Sequence, residues 1–197
     1  MLTIIIAIGS LVGLILAGLF LISVFNKFVS NKNIVKDAFS NIDVFLKKRH
    51  DLIPNLVNTV KGYAEHEKDT LERVIQARNQ AINVSSSTDI NARIAAENTL
   101  QQALRSIFAL SEAYPNLKAD ASFINFQNEL SQLEEEISRS RKYYNATVRD
   151  NNTYGESFPA VLFKNIFGYQ HFDFFEANTE ERENVTVDFS KSEDKNQ

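Results

Sequence analysis

Three histidines, His50, His66 and His171, are the side chains best suited to proton or metal chemistry, and each falls in a different segment. The most ligand-like group is Glu65-His66-Glu67. Successive helical residues point about 100° apart, so only a carboxylate three or four positions away could join His66 on one face. Asp69, at i+3, would supply the start of a two-ligand site, but the H-E-x-x-H spacing that sets two imidazoles side by side is missing. A solvated helix surface accounts for the same residues. The chain has no Cys, which excludes a thiolate nucleophile, a thiolate zinc site and a disulfide framework together. No G-x-x-x-x-G-K-[ST], G-x-G-x-x-G or G-x-S-x-G occurs. Glu134-Glu135-Glu136 followed by Arg139, Arg141 and Lys142 has the spacing of charged pairs along an exposed helix, not that of a general acid and base. The expectation is a non-enzyme with no catalytic residues, no cofactor and no metal.

The elements are more legible than the chemistry. With 197 residues, 44% apolar, the length suits one domain, and six Gly and three Pro argue against a turn-dense β fold. Twenty-five acidic and 21 basic side chains nearly balance, and no basic cluster lies outside the segment after the apolar N-terminus, which disfavours nucleic acid. Leu2 to Phe25 carries no charge, and its polar side chains are Thr3, Ser10 and Ser23 alone. At about 1.5 Å per residue such a helix is roughly 36 Å long, enough to cross a hydrocarbon core of about 30 Å. A signal peptide would have a basic n-region and a shorter apolar run. Leu16-Ala17-Gly18 resembles the start of a lipoprotein signal, but Leu19 stands where Cys is required. Residues 1–26 therefore read as an uncleaved transmembrane helix in contact with the lipid bilayer. Lys27, Lys32, Lys36, Lys47, Lys48 and Arg49 follow it and none precedes it, so the positive-inside rule places the N-terminus outside and the remainder in the cytoplasm. Gly9, Gly13 and Ala17 recur every four residues, a small-residue stripe that allows close self-association, although such residues are common in membrane helices.

Residues 27–175 read as an all-α body, an antiparallel bundle of four long helices. Ile34, Ala38, Ile42 and Phe45 mark the first stripe. His50-Asp51 reads as a junction, with Asp51 as N-cap and Pro54 in the first turn of a second helix. If the chain only kinks at Pro54, these two stripes belong to one helix and the bundle has three members. The second stripe runs through Leu56, Val60, Leu71 and Val74 to about Val84, where Ser85-Ser86-Ser87-Thr88-Asp89 breaks it. Asp89 caps a third helix that ends at Tyr114-Pro115-Asn116. Phe123, Phe126, Leu130, Leu133, Ile137, Tyr144 and Val148 form a heptad seam in the fourth.

Asp150 to Gly155 has the composition of a loop, and Phe158 to Tyr169 that of a short apolar helix ended by Gly168. Six of the fifteen Phe fall between Phe158 and Phe175, so this segment must dock on the bundle, on a partner or on a membrane; the bundle is the default. From Glu176 onward, seven acidic and three basic residues make residues 176–197 an acidic, mobile tail, in which Val185, Val187 and Phe189 alternate as a strand could.

The run Phe45-Leu46-Lys47-Lys48-Arg49-His50-Asp51-Leu52-Ile53-Pro54-Asn55-Leu56, continuing to Glu67, is similar to the signature of the LemA family of bacterial membrane proteins. Ala77-Arg78-Asn79-Gln80-Ala81, Tyr114-Pro115-Asn116-Leu117-Lys118-Ala119, Tyr144-Asn145 followed by Asn151, Phe158-Pro159 and Phe174-Phe175-Glu176-Ala177 extend the resemblance over about residues 1–178. It implies an N-terminal transmembrane helix with its N-terminus outside, then a bundle of long antiparallel helices in the cytoplasm. It implies no catalytic residues. The signature positions Arg49, Asp51, Leu52, Ile53, Pro54, Asn55, Leu56, Tyr144 and Asn145 read as structural: Asp51 and Pro54 start a helix, Arg49 bonds a neighbouring helix end, and Asn55 satisfies backbone groups at the junction. The function expected is a scaffold or adaptor of the bacterial inner membrane that self-associates as a homo-oligomer or binds other membrane proteins. The alternative is a sensor or accessory subunit of a membrane protease or signalling system.

Overall fold

A computed structural model describes residues 1–87 and 89–175. Its elements are α1 (Leu2–Lys61), α2 (Lys68–Val84), α3 (Ile90–Ala113), a single turn α4 (Pro115–Lys118) and α5 (Ala121–Glu156), followed by a 3₁₀ turn at Ala160–Leu162. The described residues contain no strand. The acidic segment 176–197, with Val185, Val187 and Phe189, lies outside the described residues.

The 60-residue α1 carries the apolar N-terminus straight into the bundle. It is the one described helix long and apolar enough to cross a membrane. Its large apolar side chains from Leu2 to Ile22 stand exposed, and burial starts abruptly at Val24 and Phe28. Below that level α5 runs antiparallel to α1: Tyr154 meets Val24, Tyr144 meets Phe39, Glu134 meets Arg49, and Asp120 meets Tyr63. The α2–α3 hairpin packs on the distal part of α1.

The junction expected at His50-Asp51 does not form; the helix passes through Pro54 and ends at Lys61, and the break falls at residues 62–67. Pro54 has no N–H to give the His50 carbonyl four residues back. Arg78 on α2 makes good the loss, its Nε donating to that carbonyl at 2.7 Å. Asp51 is accordingly no cap; it is exposed and pairs with Lys47 at 2.5 Å. Among the described residues there are still four long helices, but the first is α1 itself and the second begins at Lys68. Asp89 caps α3 as its position predicts, accepting from the N–H groups of Asn91 and Ala92.

The core is stacked in three layers along α1. A distal layer joins Ile53, Leu56 and Val60 to Leu71, Val74, Leu100, Ile107 and Phe123. A middle layer joins Val35, Ala38, Ile42 and Leu46 to Ile94, Ile137, Tyr144 and Val148. A small third layer joins Val24 and Phe28 to Ala160, with Phe163, Phe167 and Tyr169 packed beside it.

Two local expectations change at the end of α5. Residues 150–155 are helical, because Asn151 and Asn152 are buried and bonded and do not face water as loop residues would. Gly155 serves close packing, since a Cβ there would collide with the Tyr169 ring. The apolar segment after Phe158 forms the 3₁₀ turn and further turns in place of a regular helix. Gly168, at φ +66°, ends it in the left-handed region that favours glycine.

Candidate functional site

Between the distal and middle apolar layers lies a layer of charge. Arg49 on α1 is 2% exposed and Glu97 on α3 is 3% exposed. The Arg49 Nη2 donates to Glu97 Oε2, and its Nη1 donates to Glu134 Oε2 on α5 at 2.6 Å. His50 Nε2 sits 2.9 Å from Glu97 Oε1, and Gln101 Nε2 donates to Glu134 Oε1 at 3.1 Å. With Arg78 bonded to the His50 carbonyl, all four long helices meet at this level. Each of the four carboxylate oxygens has a partner. Burial alone would push the Glu97 carboxyl up, but its bond with His50 and the Arg49 charge outweigh burial and hold it below its ordinary value.

The layer could have been read from spacing. Ile42, Leu46, Arg49, Ile53, Leu56 and Val60 repeat at four and three, and Glu97, Leu100, Leu104 and Ile107 do the same, so both charges occupy seam positions. A charge in phase with a core stripe is excluded from water and requires a partner. A second such pair joins buried Arg93 to Asp43, with the guanidinium over the Phe39 ring at 4.4 Å.

A different polar device closes the proximal half. Asn145 on α5 donates through Nδ2 to the Phe175 carbonyl at 3.0 Å and accepts the Phe175 N–H at 2.8 Å. Asn152 treats Phe172 the same way, at 2.8 and 3.2 Å. Seven helical residues advance about 10.5 Å and three extended residues about 10 Å, so the two asparagines match the repeat of the strap they hold. Asn151 donates to the Gln170 carbonyl at 2.9 Å, and the Tyr144 hydroxyl to that of Asp173 at 3.0 Å. The strap's Phe172 and Phe175 then pack in the middle layer. Burial, with the nearby Asp173 charge, pushes the Tyr144 hydroxyl up to about 12.

Placed on this frame, the signature residues separate. Arg49 bonds carboxylates and not a helix end, Ile53 and Leu56 are core, Leu52 and Pro54 are half-buried, and Asn55 is exposed and satisfies no junction. Tyr144 and Asn145 belong to the strap clamp. His66 and Asp69 are exposed on and beside the 62–67 turn, while Glu67 accepts from the Tyr114 hydroxyl. Among the described residues no three His, Asp or Glu side chains gather as a metal set would. Among the described residues nothing lies within 4 Å of a Cβ built at Gly9 or Gly13, apart from their own helix.

The sequence pattern of the LemA family matches residues 38–189, a stretch that starts beyond the apolar span and holds the charged layer, the clamp and the strap. Protein LemA of Metamycoplasma hominis is 27% identical over 142 residues, which is 70% of this chain and 59% of that protein. The chain thus spans about three-fifths of the length of the curated relative it matches. Since the family pattern extends over most of its residues, the chain belongs to the LemA family.

Proposed function

We propose that this protein is a single-pass membrane scaffold or adaptor whose helical bundle self-associates or binds other membrane proteins. The observation that carries the reading is the continuity of α1: one helix bears the apolar span and contributes to every core layer, so force or orientation passes between lipid and bundle without a hinge. The buried charges support it too, because an ionic layer whose carboxylate oxygens are all bonded across α1, α3 and α5 favours one helix register. The reading takes the protein as non-catalytic, without cofactor and without a nucleic-acid partner. Its N-terminus lies outside the bacterial inner membrane and its bundle in the cytoplasm, as the flanking lysines direct. Gly9, Gly13 and Ala17 supply the surface for pairing within the bilayer. Crosslinking in native membranes followed by mass spectrometry tests this: links between copies or to other membrane proteins are the expected result, and a chain that remains monomeric and links to nothing contradicts it.

A second reading, a sensor or accessory subunit of a membrane protease or signalling system, draws on an open groove of about 530 Å³ between α1 and α2. Pro54, Val57, Leu71 and Ile75 give it an apolar floor, and Lys61, Glu65 and Lys68 a charged rim. The sensor reading predicts that a small ligand protects this groove from side-chain labelling; the scaffold reading predicts that none does.

A further inference from the structure

We propose that the segment from Phe158 to Ile166 is a second membrane contact, an apolar foot set into the interfacial layer of the same bilayer that α1 crosses. The inference rests on the reading of α1 as a span and deepens it. The segment has two apolar faces. Ala160, Phe163 and Phe167 pack on α1 at Val24 and Phe28, and the Phe167 ring meets Phe25 edge-on at 5.4 Å between centroids. The opposite residues, Phe158, Leu162 and Ile166, are spaced by four and stand 79%, 63% and 76% exposed. Three such side chains in water would be an uncovered apolar patch.

The position of the patch identifies what covers it. The α5 helix climbs antiparallel to α1 and ends at Glu156, with the Tyr154 hydroxyl bonded to the Val24 carbonyl at 3.3 Å. Beyond that level no described residue packs around α1, which is apolar as far as Leu2. The foot therefore lies where the helix leaves the bundle for lipid, and its exposed face continues the apolar surface of the span. Lys32 and Lys36 line one groove together with Phe167 and Tyr169, Lys164 lies within the foot, and no acidic residue occurs from 157 to 172. Apolar side chains beside basic ones, with tyrosines at the boundary, suit the headgroup and upper acyl region of an anionic leaflet. Anchored at two points, the bundle cannot swivel about the α1 axis.

The chain lacks Trp, so single reporters are free of background. Full-length protein carrying Leu162→Trp or Ile166→Trp is reconstituted in vesicles of phosphatidylcholine and phosphatidylglycerol containing brominated lipids; Leu14→Trp in the span is the control. The expected result is blue-shifted emission from both foot reporters, quenched strongly by bromine near the glycerol end of the acyl chain and weakly by bromine near its terminus. Foot reporters that escape quenching while Leu14→Trp is quenched overturn the foot and leave the span standing; a blue shift in that case points to cover by a second copy. If Leu14→Trp also escapes quenching, the span fails and the foot fails with it.

Discussion

Arg78 illustrates how one side chain determines the course of a helix. Its Nε reaches the carbonyl that Pro54 leaves unbonded, so the proline is tolerated inside α1 where it would ordinarily disrupt or end the helix. Losing a partner for a half-buried carbonyl costs about 1–3 kcal/mol. Arg78→Met should therefore destabilise the bundle by that amount in urea unfolding. In a Pro54→Ala background, where residue 54 regains its N–H, the same substitution should cost clearly less; equal costs in both backgrounds would refute the link. Arg49 and Glu97 make a harsher case. Removing one partner of a buried ion pair costs about 3–5 kcal/mol, whereas replacing both by apolar groups is often nearly neutral. Arg49→Met is expected to fall in the first range, and Arg49→Met with Glu97→Leu to recover part of the loss. A double variant as unstable as the sum of the singles would contradict the coupling.

The same pair has a pH signature. The Glu97 carboxyl is held below its ordinary value of 4.5, so the folded state binds fewer protons there than the unfolded chain does. Its contribution is complete above that ordinary value and is lost as pH falls through the lower folded value. The stability gap between the parent and Glu97→Gln should narrow as the pH drops below 4.5. A gap that widens on acidification would show the sign to be wrong.

Among the elements, the strap from Gln170 to Phe175 depends on side chains for its backbone bonds, since it has no sheet to join among the described residues. Asn145→Asp keeps the acceptor for the Phe175 N–H and replaces the donor to its carbonyl with a second acceptor. It should release the strap, seen as faster amide exchange at residues 172–175, while exchange in α2 and α3 stays as it was. Slowed or unchanged strap exchange would show that Phe172 and Phe175 hold the strap by packing alone. The element scale also marks what the sequence could reveal. Periodicity located α3, its Asp89 cap and the α5 seam, because apolar spacing and local capping act within a few residues. It misplaced the first break at His50-Asp51, where Asp and Pro imitate a helix start, because the compensating Arg78 lies 28 residues away. Asn151 and Asn152 looked like loop residues for a similar reason: the carbonyls that hold them in a helix belong to the strap. The Arg49–Glu97 layer was in phase with the seams and legible in principle, but its pairing across helices was not.

For the whole molecule, the fold is organised around one long axis. An exposed apolar rod, three apolar layers and one ionic layer follow one another along α1, and α5 returns along the same axis to end where the rod begins. Such a molecule makes sense as a body held at a fixed orientation to a bilayer. The chain is a LemA family member with one described helix long and apolar enough to cross a membrane; the scaffold role is our proposal and is tested through partners. The most direct measurement is the fate of the rod in cells. Membranes from cells producing the full chain are washed at alkaline pH, floated through a density gradient, and the protein's intact mass is determined. The account predicts that the protein floats with lipid and retains residues 2–25. A protein that stays at the bottom of the gradient, with a mass lacking those residues, would contradict it.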